Sequence, residues 1–354
     1  MKHSLLHIFS ICIILLVQVY STQSRTIHRP PALVPQIETY WSNTPHGQHY
    51  TLTDNCLEAW AMFGRYDKTF LEKCRLPEQV MYRNKPGHSV SKKELEGLLE
   101  KLTAEILSNK HSSRLKLSHF SILKDHDFSY GKSSGLIILK CTKHPFVVKL
   151  YLETPETFVR PFSKGLIPAF FFVMGGGINR YLAGFTRIPN LHAINNIIKQ
   201  NERWRNKIST PRKWYWTPAN VKNFTVIGHN MGSQALSASL PSVYAIICDE
   251  IIKEREFELS RAEDRAMGIE LVHLFGNRLD PHICNFIVEK DTGKITFIDT
   301  EHFGSLVGLR EELHYESYTG WITQLIGKCF RNAMFKTTAE RLREANNIPE
   351  ILQV

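Results

Sequence analysis

From residue 91 onward Leu95, Leu98, Leu99, Leu102, Ile106 and Leu107 recur at helical intervals behind Ser91-Lys92-Lys93-Glu94. The spacing predicts a helix over residues 91–109, started by a capping box in which the Ser91 hydroxyl and the Glu94 carboxylate each satisfy a free backbone N–H. Upstream, Leu57, Trp60, Ala61, Phe63, Phe70 and Leu71 suggest two short helices between residues 54 and 82. After Ser118 the period shortens to that of strands. Residues 120–123, 135–140 and 145–151 are apolar runs split by turn-forming residues, which predicts an antiparallel meander. A Phe- and Gly-rich segment follows, then an amphipathic helix over 190–208 with Leu191, Ile194, Ile197, Ile198 and Trp204 on one side. Strands are expected at 223–227 and 243–248, a helix at 256–273, and a strand pair at 286–288 and 295–298 around Asp291-Thr292-Gly293. The tail reads as helical. Short strands segregated ahead of long helices indicate an α+β class.

At the N-terminus Lys2 and His3 precede an apolar run from Leu5 to Val19 that closes on Tyr20-Ser21. This predicts a secretory signal over 1–21 and an exported protein. The alternative is an uncleaved anchor, because the run is marginal for a span of about 20 residues. No stable membrane span is expected after cleavage. Residues 22–48, with Arg29-Pro30-Pro31 and Pro35, predict an extended leader. An oxidising compartment could pair the six cysteines beyond the signal, and Cys56 with Cys74 is the expected disulfide, with unpaired buried thiols as the alternative. In 354 residues, 43% hydrophobic and 22% charged composition excludes chain-wide disorder. A net charge of +10 favours acidic partners such as phosphates, without choosing among them. The basic stretch 203–213 beside Trp214 and Trp216 reads as a solvated face, and no nucleic-acid partner is expected.

Chemistry concentrates in Phe275-Gly276-Asn277-Arg278-Leu279-Asp280-Pro281-His282-Ile283-Cys284-Asn285, followed by Ile298-Asp299-Thr300-Glu301. An Asp, an Asn five residues later entering an apolar strand, a Gly hairpin and a second Asp at the end of the return strand place three oxygen ligands around one cleft. Phosphoryl transfer uses such a set: one group orients or deprotonates the acceptor hydroxyl, and two hold hard magnesium ions on the phosphates.

Over residues 120–303 the chain resembles the protein-kinase-like superfamily, and Asp299-Thr300-Glu301 is similar in style to the Asp-Phe-Glu of choline- and aminoglycoside-kinase-like members. The resemblance implies a two-lobed fold, with a five-stranded antiparallel sheet and one helix in a small lobe at 117–250, an insertion at 153–188, and a compact helical large lobe at 251–354. A helical extension at 49–116 would precede it. It implies Asp280 as catalytic residue, Asn285 and Asp299 as magnesium ligands, and Lys149 in Val147-Val148-Lys149-Leu150 on the ATP phosphates. Gly131 would sit in the phosphate-covering turn, Glu202 would be the helix acid paired with Lys149, and Asp249 and Glu250 would form the hinge beside adenine. Arg278 departs from the family, which carries His two residues before the catalytic Asp. The implied function is an exported Mg-ATP phosphotransferase acting on a hydroxyl of a small molecule or protein. Its alternative is a secreted pseudokinase that binds nucleotide or a partner.

A competing pattern is Ile227-Gly228-His229-Asn230-Met231-Gly232, which looks like the nucleophile elbow of an α/β-hydrolase, with Met174-Gly175-Gly176-Gly177 imitating its oxyanion loop. Asn230 stands at the nucleophile position, and an amide cannot attack as a hydroxyl does, so only an inactive hydrolase-like binder would survive that reading. In the kinase-like reading, 223–227 is the fourth small-lobe strand.

Overall fold

In the computed structural model of the protein, the described residues are 36–44, 47–53, 67–109, 115–154, 177–229 and 235–303, with Ser317 and Gly320. The signal, the start of the leader, Cys56, Met174, Asn230, most of the insertion and the tail helices lie outside them. Strands β1 (Gln36–Thr44) and β2 (Gly47–Thr53) pair, and α1 (Lys68–Lys73) leads to β3 (Gln79–Met81) and β4 (Ser89–Ser91). Helix α2 (Lys92–Ser108) precedes β5 (Phe120–Lys124), β6 (Phe128–Ser129), β7 (Ser134–Cys141) and β8 (Phe146–Leu152). Helices α3 (Gly177–Gly184) and α4 (Arg187–Gln200) come next. Then follow β9 (Ile208–Ser209), β10 (Lys213–Trp216), β11 (Asn223–His229), β12 (Ala235–Pro241), β13 (Val243–Asp249) and β14 (Lys253–Glu256). Helix α5 (Ala262–Phe275), two 3-10 turns at Gly276–Arg278 and Ile283–Asn285, and the hairpin β15 (Phe286–Glu289) and β16 (Ile295–Phe297) complete the described elements. The class is α+β.

The largest sheet runs β10-β13-β8-β7-β5, with β6 also on β7, and every pairing in it is antiparallel. Side chains alternate across a strand, so this sheet has two distinct faces. One carries Ile137, Leu139, Phe146, Val148, Leu150, Ala245, Ile247 and Trp216, packed in a single core with Leu95, Leu98, Leu99, Leu102 and Ile106 of α2. Half of the expected capping box is present: the Ser91 hydroxyl oxygen accepts from the Glu94 N–H, while the Glu94 carboxylate pairs with His144 at 3.1 Å. The other face carries Lys149, Tyr151, Tyr244, Ile246, Cys248, Lys213 and Tyr215, all buried. There Tyr151 and Tyr244 stack with ring centroids 4.5 Å apart, and Phe185 stacks on Tyr244 at 4.2 Å. Burial on both faces accounts for the near-continuous apolar runs of β8 and β13.

A second core joins Ile194 and Ile198 of α4, Leu271, Val272 and Phe275 of α5, Leu279 and Ile283 of the loop, and Phe286, Ile295 and Phe297 of the hairpin. A four-stranded sheet β14-β15-β16-β9 builds the hairpin's surroundings.

The strand reading of 223–227 requires correction. Strand β11 belongs to a separate sheet, β1-β2-β11-β12, where it runs parallel to β2. The strand beside β13 is β10, inside the stretch read as a basic surface. Part of the expected leader is likewise strand β1, whose β-branched and aromatic residues Ile37, Thr39, Tyr40 and Trp41 lie between Pro35 and Pro45. Cys74 is a free, half-buried thiol.

Gly135 opens β7 at φ 113°, and a Cβ there would stand 2.1 Å from the Asp127 carbonyl oxygen, whereas nothing lies within 4 Å of one at Gly131. Gly135→Ala is therefore expected to destabilise the protein by about 1–3 kcal/mol and Gly131→Ala by about 0.5 kcal/mol or less. Urea denaturation of the two variants checks this; equal midpoints would contradict it.

Candidate functional site

Helix α5 ends at Gly276, whose φ of 56° turns the chain out of the helix. Leu279 is buried, and Asp280 follows half-buried. One Asp280 carboxylate oxygen accepts from the His282 N–H at 2.9 Å, and its carbonyl accepts from the Asn285 amide nitrogen at 3.4 Å. The Asn285 carbonyl in turn accepts from the Ile298 N–H at 3.2 Å. This backbone link, one step beyond the Phe286–Phe297 pair, brings the loop against the residue that precedes Asp299. Burial pushes the Asp280 carboxyl upward, and the nearby Asp299 charge works the same way against the His282 N–H.

Asp299 meets the sheet through Lys149. The Lys149 ammonium lies 3.3 Å from Asp299 Oδ2 and donates to the Ile298 carbonyl at 3.4 Å. Its side chain is 8% exposed and that of Asp299 19%, against none for Arg187 and 2% for Glu301. Burial pulls the Lys149 ammonium below the usual lysine range, and the neighbouring Arg187 charge adds to this.

Sequence reasoning missed two further cations. Arg187, the first residue of α4, is fully buried and donates to Asp299 Oδ1, to Glu301 Oε2 at 2.6 Å and to the Tyr151 hydroxyl at 2.6 Å. Lys213 of β10, also buried, donates to the Thr300 hydroxyl. That hydroxyl donates onward to the Arg187 carbonyl at 2.8 Å, and the His302 N–H donates to the Thr186 hydroxyl at 2.9 Å. Asn190 of α4 adds donations to the Thr300 carbonyl at 3.0 Å and the Arg278 carbonyl at 2.7 Å. The Asp299-Thr300-Glu301 turn is thus fastened to the first turn of α4, and Arg278 anchors the loop to the same helix. Burial alone would raise Asp299, but Arg187, Lys149 and Lys213 hold its carboxyl well below the usual carboxylate range.

Of the remaining expected residues, Glu202 lies beyond the C-terminus of α4 and is exposed, because the helix begins at Arg187 and ends at Gln200. Lys149 is paired with Asp299 and not with a helix acid. Gly131 is in the exposed turn between β6 and β7. Asp249 closes β13, where its carboxylate accepts from the Arg212 side chain at 2.8 and 2.7 Å and from the Arg212 backbone N–H at 2.9 Å. The backbone N–H of Glu250 donates to the Pro145 carbonyl at 2.9 Å, its carbonyl accepts from the Asn84 side chain at 3.0 Å, and its carboxylate pairs with Lys140. The structure therefore brings together Lys149, Asp280, Asn285 and Asp299, while Asp249 and Glu250 fasten the edge of the sheet.

The donor set can be tested against magnesium. Asp299, Asn285 and Glu301 are hard oxygen ligands of the right kind. Both carboxylate oxygens of Asp299 are already engaged by cations, however, and Glu301 is held by the same guanidinium. As arranged, these residues do not fit a dication, which would have to stand beside Arg187 and Lys149. No cluster of three or more His, Cys, Asp or Glu side chains suited to a metal is present among the described residues.

A scan against protein-family models gave no match, and no curated protein is significantly similar to the chain.

Burial, reinforced by the positive charges of Lys149 and Arg187, pushes Lys213 down to about 7. An unfolded lysine titrates near 10.4, so between pH 7 and 10 the unfolded chain binds the extra proton and stability rises with pH. Lys213→Met should stabilise the protein at and below pH 7, by an upper bound of roughly 4 kcal/mol, with the gain shrinking toward pH 10. Melting curves across that range check the sign; a variant less stable at pH 7 than at pH 10, relative to the parent, would contradict it.

Proposed function

We propose that the chain is an exported, kinase-like nucleotide-binding protein that takes ATP in the cleft between the large sheet and the loop and hairpin layer. In this reading β5, β7, β8, β13 and β10 with α4 are the small lobe, and α5 with the loop and β14–β16 belongs to the large lobe. The observation that carries it is the convergence of Lys149, from the middle of the sheet, with Asp280, Asn285 and Asp299, from a loop and hairpin far along the chain. The partly exposed Ile138 and Val147 of the sheet and Ile298, 42% exposed ahead of Asp299, offer apolar surface for a base beside Lys149. The Lys149 ammonium supplies charge for the phosphates.

A second reading, phosphoryl transfer to a hydroxyl of a small molecule or protein, is favoured by Asp280. Burial raises its carboxyl above the usual carboxylate range, which makes the ionised form a stronger base for the hydroxyl proton, and it sits beside Asn285. In this reading the acceptor oxygen attacks the terminal phosphorus, the bond to the ADP oxygen breaks, and Asp280 takes the proton.

Thermal melting of the purified chain with ATP, with and without magnesium, tests the binding reading. Saturation at a hundredfold excess over Kd should stabilise the protein by about 2.7 kcal/mol, and Lys149→Ala should abolish the shift. No shift with any nucleotide would refute it. Transfer of γ-phosphate label to protein or small molecules, lost in Asp280→Asn, would establish the second reading; absence of transfer in the parent would exclude it.

A further inference from the structure

A kinase-like cleft ordinarily offers an anionic carboxylate to a dication and a cation to the phosphates. Here, among the described residues, two buried cations, Arg187 and Lys149, stand on the single carboxylate of Asp299, while the Lys213 amine is bonded to the Thr300 hydroxyl. The pairing is lopsided. Arg187, with no exposed surface, faces Asp299 from the protein side and also occupies Glu301, while the Glu301 N–H donates to Asp299 Oδ1 at 3.1 Å. Asp299 is therefore compensated from behind before Lys149 reaches it from the cleft side. A dication approaching the same carboxylate would meet two cations on it, whereas an anion would meet an ammonium whose partner carboxylate is already shared. Asp280 is close enough for the Asp299 charge to act on it, but among the described residues no cation of this network bonds it; its carboxylate accepts from the His282 N–H.

We infer that the cleft binds nucleotide phosphates as the metal-free anion, with the buried Arg187 and Lys149 on Asp299 doing the charge compensation that a divalent cation would otherwise do. This rests on the nucleotide-binding reading and narrows its ligand to ATP without magnesium. Lys149 is the contacting group, and Arg187 and Lys213 are positioning residues that act through Asp299 and Thr300. The consequence for Asp299 is opposite to that of a metal ligand: removing its charge should release more of Lys149 to the ligand.

Isothermal titration of the purified chain with ATP, once in excess EDTA and once in excess magnesium, tests the inference. Affinity in EDTA equal to or tighter than in magnesium is expected, and inorganic tripolyphosphate in EDTA should bind the same site competitively. Asp299→Asn, which keeps the shape of the side chain, should tighten ATP binding in EDTA. Binding that is at least about tenfold tighter with magnesium overturns the inference while leaving the nucleotide-binding reading standing. A loss of binding in folded Asp299→Asn also overturns it. Absence of ATP binding in both buffers refutes the inference together with the reading beneath it. The parent titrations decide the question by themselves if the variant does not fold.

Discussion

The guanidinium of Arg187 is the joint on which the candidate site depends. It is buried at the start of α4, bonds two carboxylates of one turn and a tyrosine of the sheet, and so connects three elements that are distant in sequence. A buried ion pair contributes little net stability compared with apolar packing, but leaving one member unpaired costs about 3–5 kcal/mol. The network is therefore better understood as a device that fixes geometry. It admits one seating of the Asp299-Thr300-Glu301 turn on α4, and Lys149 meets Asp299 in that seating.

The large sheet makes such a network affordable. With α2 covering one face and α3 and α4 the other, the central strands are removed from water on both sides, and charges on the inner face sit in a low-dielectric setting where each must find a partner. Tyr151, Tyr244, Cys248, Lys149 and Lys213 form that inner face. The site is thus a buried electrostatic network held by a well-packed apolar frame.

Local features were legible in the sequence. The Ser91 cap of α2, the strand carrying Lys149, the Asp280-to-Asn285 loop and the return strand leading to Asp299 depend on short-range pattern, and each lies where the spacing puts it. What the sequence concealed depends on non-local pairing. Glu202 is the acid in the helix expected over 190–208; the helix instead runs from Arg187 to Gln200, and Pro189 in its first turn obscures that start. Lys213-Trp214-Tyr215-Trp216 looked like a basic aromatic surface, yet its alternation fits β10, with Lys213 turned inward. Strand β11 was assigned to the large sheet by chain order, whereas its partners are β2 and β12. Nothing in the local pattern of 36–53 announces a parallel partner so far along the chain.

A double-mutant cycle on Arg187 and Glu301, read by equilibrium denaturation, tests the central claim most directly. Arg187→Met should cost about 3–5 kcal/mol by taking the guanidinium from two buried carboxylates, Glu301→Met less because Arg187 keeps Asp299, and the double variant less than the sum of the two. Losses that add to within about 0.5 kcal/mol would mean that the two side chains act independently and that Arg187 is not the joint of the site.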